Sequence, residues 1–152
     1  MEKFESIPEL KTETITHTDF FAQIYNKDNR AFDQRFLPIE EGGVFQYSPA
    51  TSGRMKESSV FALIRENGNI VGYAKLQQNP LNSDILWLMS ISVDKNKKGE
   101  GFSRRILEEV FRYAKSKNKK IEPSSYTKEG NERIKHQIER LASEYGVEIV
   151  AT

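Results

Sequence analysis

Ile91-Ser92-Val93-Asp94-Lys95-Asn96-Lys97-Lys98-Gly99-Glu100-Gly101-Phe102-Ser103-Arg104-Arg105-Ile106-Leu107 leads from an apolar strand, through a basic turn holding two glycines, into an amphipathic helix. That order builds an anion site. The first turn of a helix leaves main-chain N–H groups unpaired, and the aligned peptide dipoles place partial positive charge there. Glycines let an anion approach the backbone with no Cβ in the way. Lys95, Lys97 and Lys98 add long-range attraction for a polyanion. A plain strand-to-helix connection with solvated lysines accounts for the same residues equally well, because a short glycine motif is a weak signal by itself.

The surroundings of the turn extend the pattern. Val60 to Arg65 and Ile70 to Gln77 read as two strands joined at Asn67-Gly68, the preferred pair for a two-residue hairpin turn. After a turn over 79–83, Ile85 to Val93 is a third strand, and its nearly continuous apolar run predicts burial on both faces. Beyond the basic turn, Phe102, Ile106, Val110 and Ala114 form one helical stripe, joined by Leu107 and Phe111. Ile121 to Ser124 reads as a short strand. A second long helix follows, capped by Thr127, striped by Ile134, Ile138, Leu141, Ala142 and Tyr145 and stopped at Gly146. Val147 to Val150 is a last strand. Toward the amino terminus, Lys11 to His17 is a strand, and Thr18 or Asp19 caps a helix bearing Phe21, Ile24 and Tyr25. Beyond Asp28-Asn29, Phe32 and Phe36 repeat the helical spacing up to Pro38, so two short helices with a break between them are expected. The pattern vanishes over 39–58, a long polar segment holding Phe45 and Tyr47. The order β, helices, β-β-β, α, β, α, β predicts an α/β fold with a mixed sheet. Its step from the third hairpin-region strand through a helix to Ile121 should be a right-handed parallel crossover.

The 152 residues suit a single domain spanning 1–152. A formal net charge of +1 argues against a dedicated nucleic-acid binder, although Lys95, Lys97, Lys98, Arg104, Arg105 and Lys115 form a local basic set. The absence of cysteine excludes disulfides, thiolate metal sites and cysteine nucleophiles. No apolar run is long enough for a bilayer, and Met1 to Ser6 lacks the apolar core of a secretory signal, so a cytoplasmic location is expected. His17 and His136 are the only histidines and show no metal-ligand spacing, so no metal is expected.

The order of elements, together with Ile91-Ser92-Val93-Asp94, Asn96-Lys97-Lys98-Gly99-Glu100-Gly101 and the helix with Ile106-Leu107, resembles the GNAT superfamily of N-acetyltransferases. The family hallmark is Arg or Gln, two residues, Gly, one residue, then Gly or Ala. Both glycines match as Gly99 and Gly101, while Asn96 holds the first position. The resemblance implies acetyl-CoA as cosubstrate, with its pyrophosphate on the N–H groups of Lys98, Gly99, Glu100, Gly101, Phe102 and Ser103. It implies a pantetheine arm along the backbone of Ile91 and Val93, which needs the Ile121 strand to splay away. It also implies acetyl transfer to an amine on a small molecule or a protein. No membrane partner is expected, because no apolar run is long enough to span a bilayer. A superfamily-like domain that binds CoA or a protein without turnover is the alternative.

N-acetylation needs a neutral amine, whereas a lysine-like amine titrates at about 10.4. Asp84 and Glu122 flank the strands expected to line the site and are the candidate bases, although a solvated strand-end carboxylate is the simpler reading of each. Alternatively no single residue acts as base, and the site mainly positions the reactants. In the superfamily a tyrosine on the last long helix often protonates the departing thiolate. Ala142 stands at the matching place, and Tyr126 is the substitute candidate, a partly buried loop tyrosine being the rival reading. Trp87 is expected in the core, with substrate stacking from its edge as the other reading. Many relatives complete the sheet with one more strand. Here the exposed edge could pair with a second copy, giving a homodimer.

Overall fold

The computed structural model describes residues 8–26, 31–32, 59–97, 99–123 and 132–150. A five-stranded sheet has the order β1-β4-β5-β6-β7, where β1 is Leu10–Thr16, β4 Ser59–Glu66, β5 Asn69–Gln78, β6 Ile85–Val93 and β7 Lys120–Pro123. Its pairs are antiparallel except β6 with β7, which run parallel across the helix α2, Phe102–Ser116. The β4–β5 hairpin turns at Asn67 and Gly68, both with positive φ (50° and 86°), as a two-residue turn of matching twist requires. The expected crossover from β6 to the Ile121 strand is therefore present as a parallel pair.

The two faces of the sheet hold separate cores. Ala62, Ile64, Ala74, Leu76 and Leu88 meet Phe102, Ile106, Leu107, Val110, Phe111 and Ala114 of α2, with Ile138, Leu141 and Ala142 of the last helix, α3 (Glu132–Tyr145), in the same cluster. Gly72 allows this approach, since a Cβ there would lie 2.7 Å from Ile106 Cδ1 and 3.3 Å from the Ser92 carbonyl. On the opposite face, helix α1 (His17–Ile24) lays Phe20 and Ile24 on Phe61, Leu63, Ile70 and Tyr73. Phe20 stacks on Phe61 with ring centroids 3.8 Å apart.

Four expectations are corrected. The cap of α1 is Thr16, whose Oγ1 accepts the Asp19 N–H at 3.2 Å, two residues earlier than Thr18. Tyr25 and Phe32 are strand residues, because β2 (Tyr25–Asn26) pairs antiparallel with β3 (Ala31–Phe32). The run between them, Lys27-Asp28-Asn29-Arg30, holds two poor helix formers, Asp28 and Asn29. Phe36, Pro38, the 39–58 segment and Thr127 lie outside the described residues. Val147–Val150 forms a single bridge to Ile121 instead of a strand, with Ile121 N–H donating to Glu148 O (3.0 Å) and Val150 N–H to Ile121 O (2.8 Å). The next outward-facing position of β7 is Pro123, which has no N–H to continue the ladder. Finally, β6 is not buried on both faces throughout: Ile91, Ser92 and Val93 are only half-buried. Gly146 ends α3 as expected, at φ 68°, with Val147 N–H donating to Ala142 O.

Candidate functional site

The site lies at the carboxyl end of β6. Among the described residues, pairing of β6 with β7 runs from Ile85–Lys120 to Leu88–Pro123. Five further residues, Met89 to Val93, continue with no strand beside them on that side among the described residues. Met89 is also an extra residue against β5, since Lys75 faces Ser90 while Leu76 faces Leu88. That bulge re-aims the strand just past Leu88. Asp94 N–H donates toward β5, to Val71 O at 2.8 Å. Alternation along an antiparallel strand then turns the main-chain groups of Ile91 and Val93 the other way, away from β5.

The turn after β6 is held from beneath. Asp94 is buried, and its Oδ1 accepts the Asn96 N–H at 2.9 Å while its carbonyl accepts Lys97 N–H at 2.8 Å. Lys97 Nζ lies 2.9 Å from Glu66 Oε1 at the end of β4, and that hydrogen bond and charge raise the lysine's pKa. Lys97 thus ties the turn to the sheet instead of standing ready for an incoming anion. Gly99 and Gly101 follow at φ 87° and 78°, and a Cβ on either would meet nothing within 4 Å. Open space therefore adjoins both glycines. Phe102 drives its ring into the core and fixes the start of α2, with Ser103 half-buried behind it. No side chain caps this terminus, no acid occupies its first turn, and Arg104 and Arg105 are exposed there. Uncapped donors, the helix dipole and open space suit an anion such as a phosphate.

Of the residues singled out in the sequence, Ile91, Val93, Gly99, Glu100, Gly101, Phe102 and Ser103 gather at this end of the sheet. Glu122 is half-buried on β7 and pairs with Trp87, one step before the last described pair, Leu88 with Pro123. Asp84 is exposed at the other end of β6, five residues before Met89 and so about 17 Å along the strand. Its carbonyl accepts Lys120 N–H and its own N–H donates to Asn82 Oδ1. Lys98 and Tyr126 lie outside the described residues. Ala142 is buried in the main core, and Tyr145 stacks against Phe111 at 6.5 Å. His136 is a surface residue, 4.0 Å from Glu139. Among the described residues no three His, Asp or Glu side chains are grouped to hold a metal ion. Sequence reasoning missed the buried polar side chains of Ser59, Lys75, Gln77 and Ser90. Lys75 and Gln77 alternate with apolar neighbours along β5, a pattern that reads as a solvent-facing side.

The sequence profile described as Acetyltransferase (GNAT) family matches residues 18–141. No curated protein matches the chain. Among solved structures, an IAA acetyltransferase from Bacillus cereus is similar at a TM-score of 0.51 and 14% identity, covering 90% of this chain and 75% of that one. An aminoglycoside acetyltransferase from an uncultured soil metagenomic sample gives 0.52 and 12%, covering 88% and 86%. The ribosomal-protein-S18-alanine N-acetyltransferase of Escherichia coli gives 0.47 and 18%, covering 72% of this chain and 61% of its own length. At such identities the likeness is one of fold.

Proposed function

The chain belongs to the acetyltransferase (GNAT) family, and on that premise we propose that it moves acetyl from acetyl-CoA to a primary amine by direct attack. One observation carries the reading: the half-buried end of β6, Ile91 to Val93, runs straight into the uncapped glycine turn before α2, with open space beside both glycines. Acetyl-CoA would supply the activated acyl group. The N–H groups from Gly99 to Ser103 would bind its phosphates, and the outward-turned backbone of Ile91 and Val93 would hold the extended arm as an added strand does. With no cysteine in the chain, no thiol is available to carry the acetyl group on the protein. The amine lone pair would attack the thioester carbonyl, the C–S bond would break, and the amine would lose its proton. Glu122, across from Trp87, lies nearer that end of β6 than Asp84 and is better placed to accept that proton.

Calorimetric titration with acetyl-CoA tests the site. Gly101→Glu puts a carboxylate into the open space beside the turn and is expected to weaken binding at least tenfold. Gly101→Ala carries the same left-handed backbone strain without the charge and should retain most of the affinity. Equal binding by Gly101→Glu and the unaltered protein would refute the assignment. A CoA-binding domain without turnover is the second reading, favoured by Ala142, whose place in the core leaves no hydroxyl where the family often has an acid. Thiol release with amine acceptors separates the two. Tyr126→Phe is expected to lower kcat with little change in the KM for acetyl-CoA, and an unchanged kcat would remove Tyr126 from the mechanism.

A further inference from the structure

The hairpin between β4 and β5 is built as a fixed platform. Asn67 N–H donates to the Glu9 carbonyl at 2.9 Å, and Glu9 N–H donates in return to Asn67 Oδ1 at 3.0 Å. Arg65 braces the same turn, with its Nε–H donated to Glu13 Oε1 at 2.8 Å and a second N–H to the Gly68 carbonyl at 3.1 Å. Glu66, the last residue of β4, stands at the foot of this turn with 17% of its side chain exposed, and its Oε1 meets Lys97 Nζ at 2.9 Å. Strand order places β5 between β4 and β6, so the Lys97 side chain reaches back across the sheet, toward β4 and away from β7.

Two anchors therefore bracket the glycines. On one side Asp94 holds the Asn96 and Lys97 N–H groups, and Lys97 is clasped to Glu66. On the other side the Phe102 ring is buried in the main core. Between them stand four residues, Lys98, Gly99, Glu100 and Gly101. Gly99 and Gly101 take positive φ, a conformation that glycine enters freely but also leaves freely. A segment that must be ordered as its ligand arrives loses part of the contact energy to that ordering, and a segment held beforehand does not.

We propose that Glu66 is a positioning residue for the cosubstrate: through Lys97 it holds the glycine turn in the shape that receives a diphosphate. The inference rests on the acetyl-transfer reading above and adds to it a residue that acts from β4, two strands away from β6. A masking role for the same ion pair has the opposite sign. If Glu66 only neutralised the ammonium, its removal would release a cation beside an incoming polyanion and tighten binding. The contacts favour positioning. Both the main-chain N–H and the side chain of Lys97 are engaged, and Asp94 and Glu100 act on the same ammonium, so two carboxylates still face that charge when Glu66 is gone.

Calorimetric titration with coenzyme A tests the proposal. Glu66→Ala is expected to weaken binding about threefold, within the reach of a partly exposed ion pair. Glu66→Gln keeps an acceptor oxygen for Lys97 and should recover part of the loss. Lys97→Met should match Glu66→Ala, and the double variant should bind no more weakly than either alone, because both changes break one link. Cooperative thermal unfolding of each variant shows that it is folded. Unchanged or tighter binding by Glu66→Ala, or losses that add in the double variant, would overturn the proposal. Failure of the unaltered protein to bind coenzyme A would instead sink the acetyl-transfer reading, and this inference with it.

Discussion

Lys75 sits at 1% exposure on the central strand, across from Phe61 on one side and Ser90 on the other. Desolvation lowers its pKa from 10.5 to about 8. Between those values the unfolded chain holds a proton that the folded chain has released, so stability from this group rises with pH across that window. Below it, the shift costs the folded protein about 3 kcal/mol. Lys75→Met is therefore expected to raise stability against urea at pH 7, with the advantage shrinking between pH 8 and 10.5. A gap that does not change with pH would show that the charge is not the cause. The alternation Tyr73, Lys75, Gln77 was visible in the sequence, but its meaning was not. An alternating strand usually turns its polar side to water, and here both sides are covered. Phe20, one residue before the Phe21 expected on the apolar face of α1, is the ring that packs fully, and Phe20→Ala should cost about 3–5 kcal/mol by chemical denaturation.

Elements with strong local signals were legible. The Asn67-Gly68 turn and its two strands follow from turn chemistry, and α2 follows from an unbroken stripe ending in a buried Ala114. Elements decided by competition were not. Tyr25 and Phe32 keep helical spacing, yet the two-residue pairing of β2 with β3 prevails where the chain between them holds the poor helix formers Asp28 and Asn29. Glu148, Ile149 and Val150 have strand propensity but need a donor that Pro123 lacks. Supplying that donor should lengthen the pairing. In Pro123→Ala, the new amide at 123 is expected to be protected in hydrogen exchange by bonding toward Val150, and exchange at the rate of an open loop would contradict this account of the edge.

At the scale of the molecule, the described part of β7 accompanies β6 only as far as Leu88, and the crossover through α2 brings a helix terminus to the far end of β6. The order of elements made that terminus legible, because a glycine turn that opens a helix leaves unpaired N–H groups beside it. The Met89 bulge depends on register between strands, which no local pattern encodes. The claim that the turn binds the cosubstrate is tested most directly by titrating coenzyme A while following backbone amide resonances. The account predicts the largest shifts at Gly99, Gly101, Phe102 and Ser103, with accompanying shifts at Ile91 and Val93. Largest shifts along β1 or α3, with those amides unmoved, would contradict it.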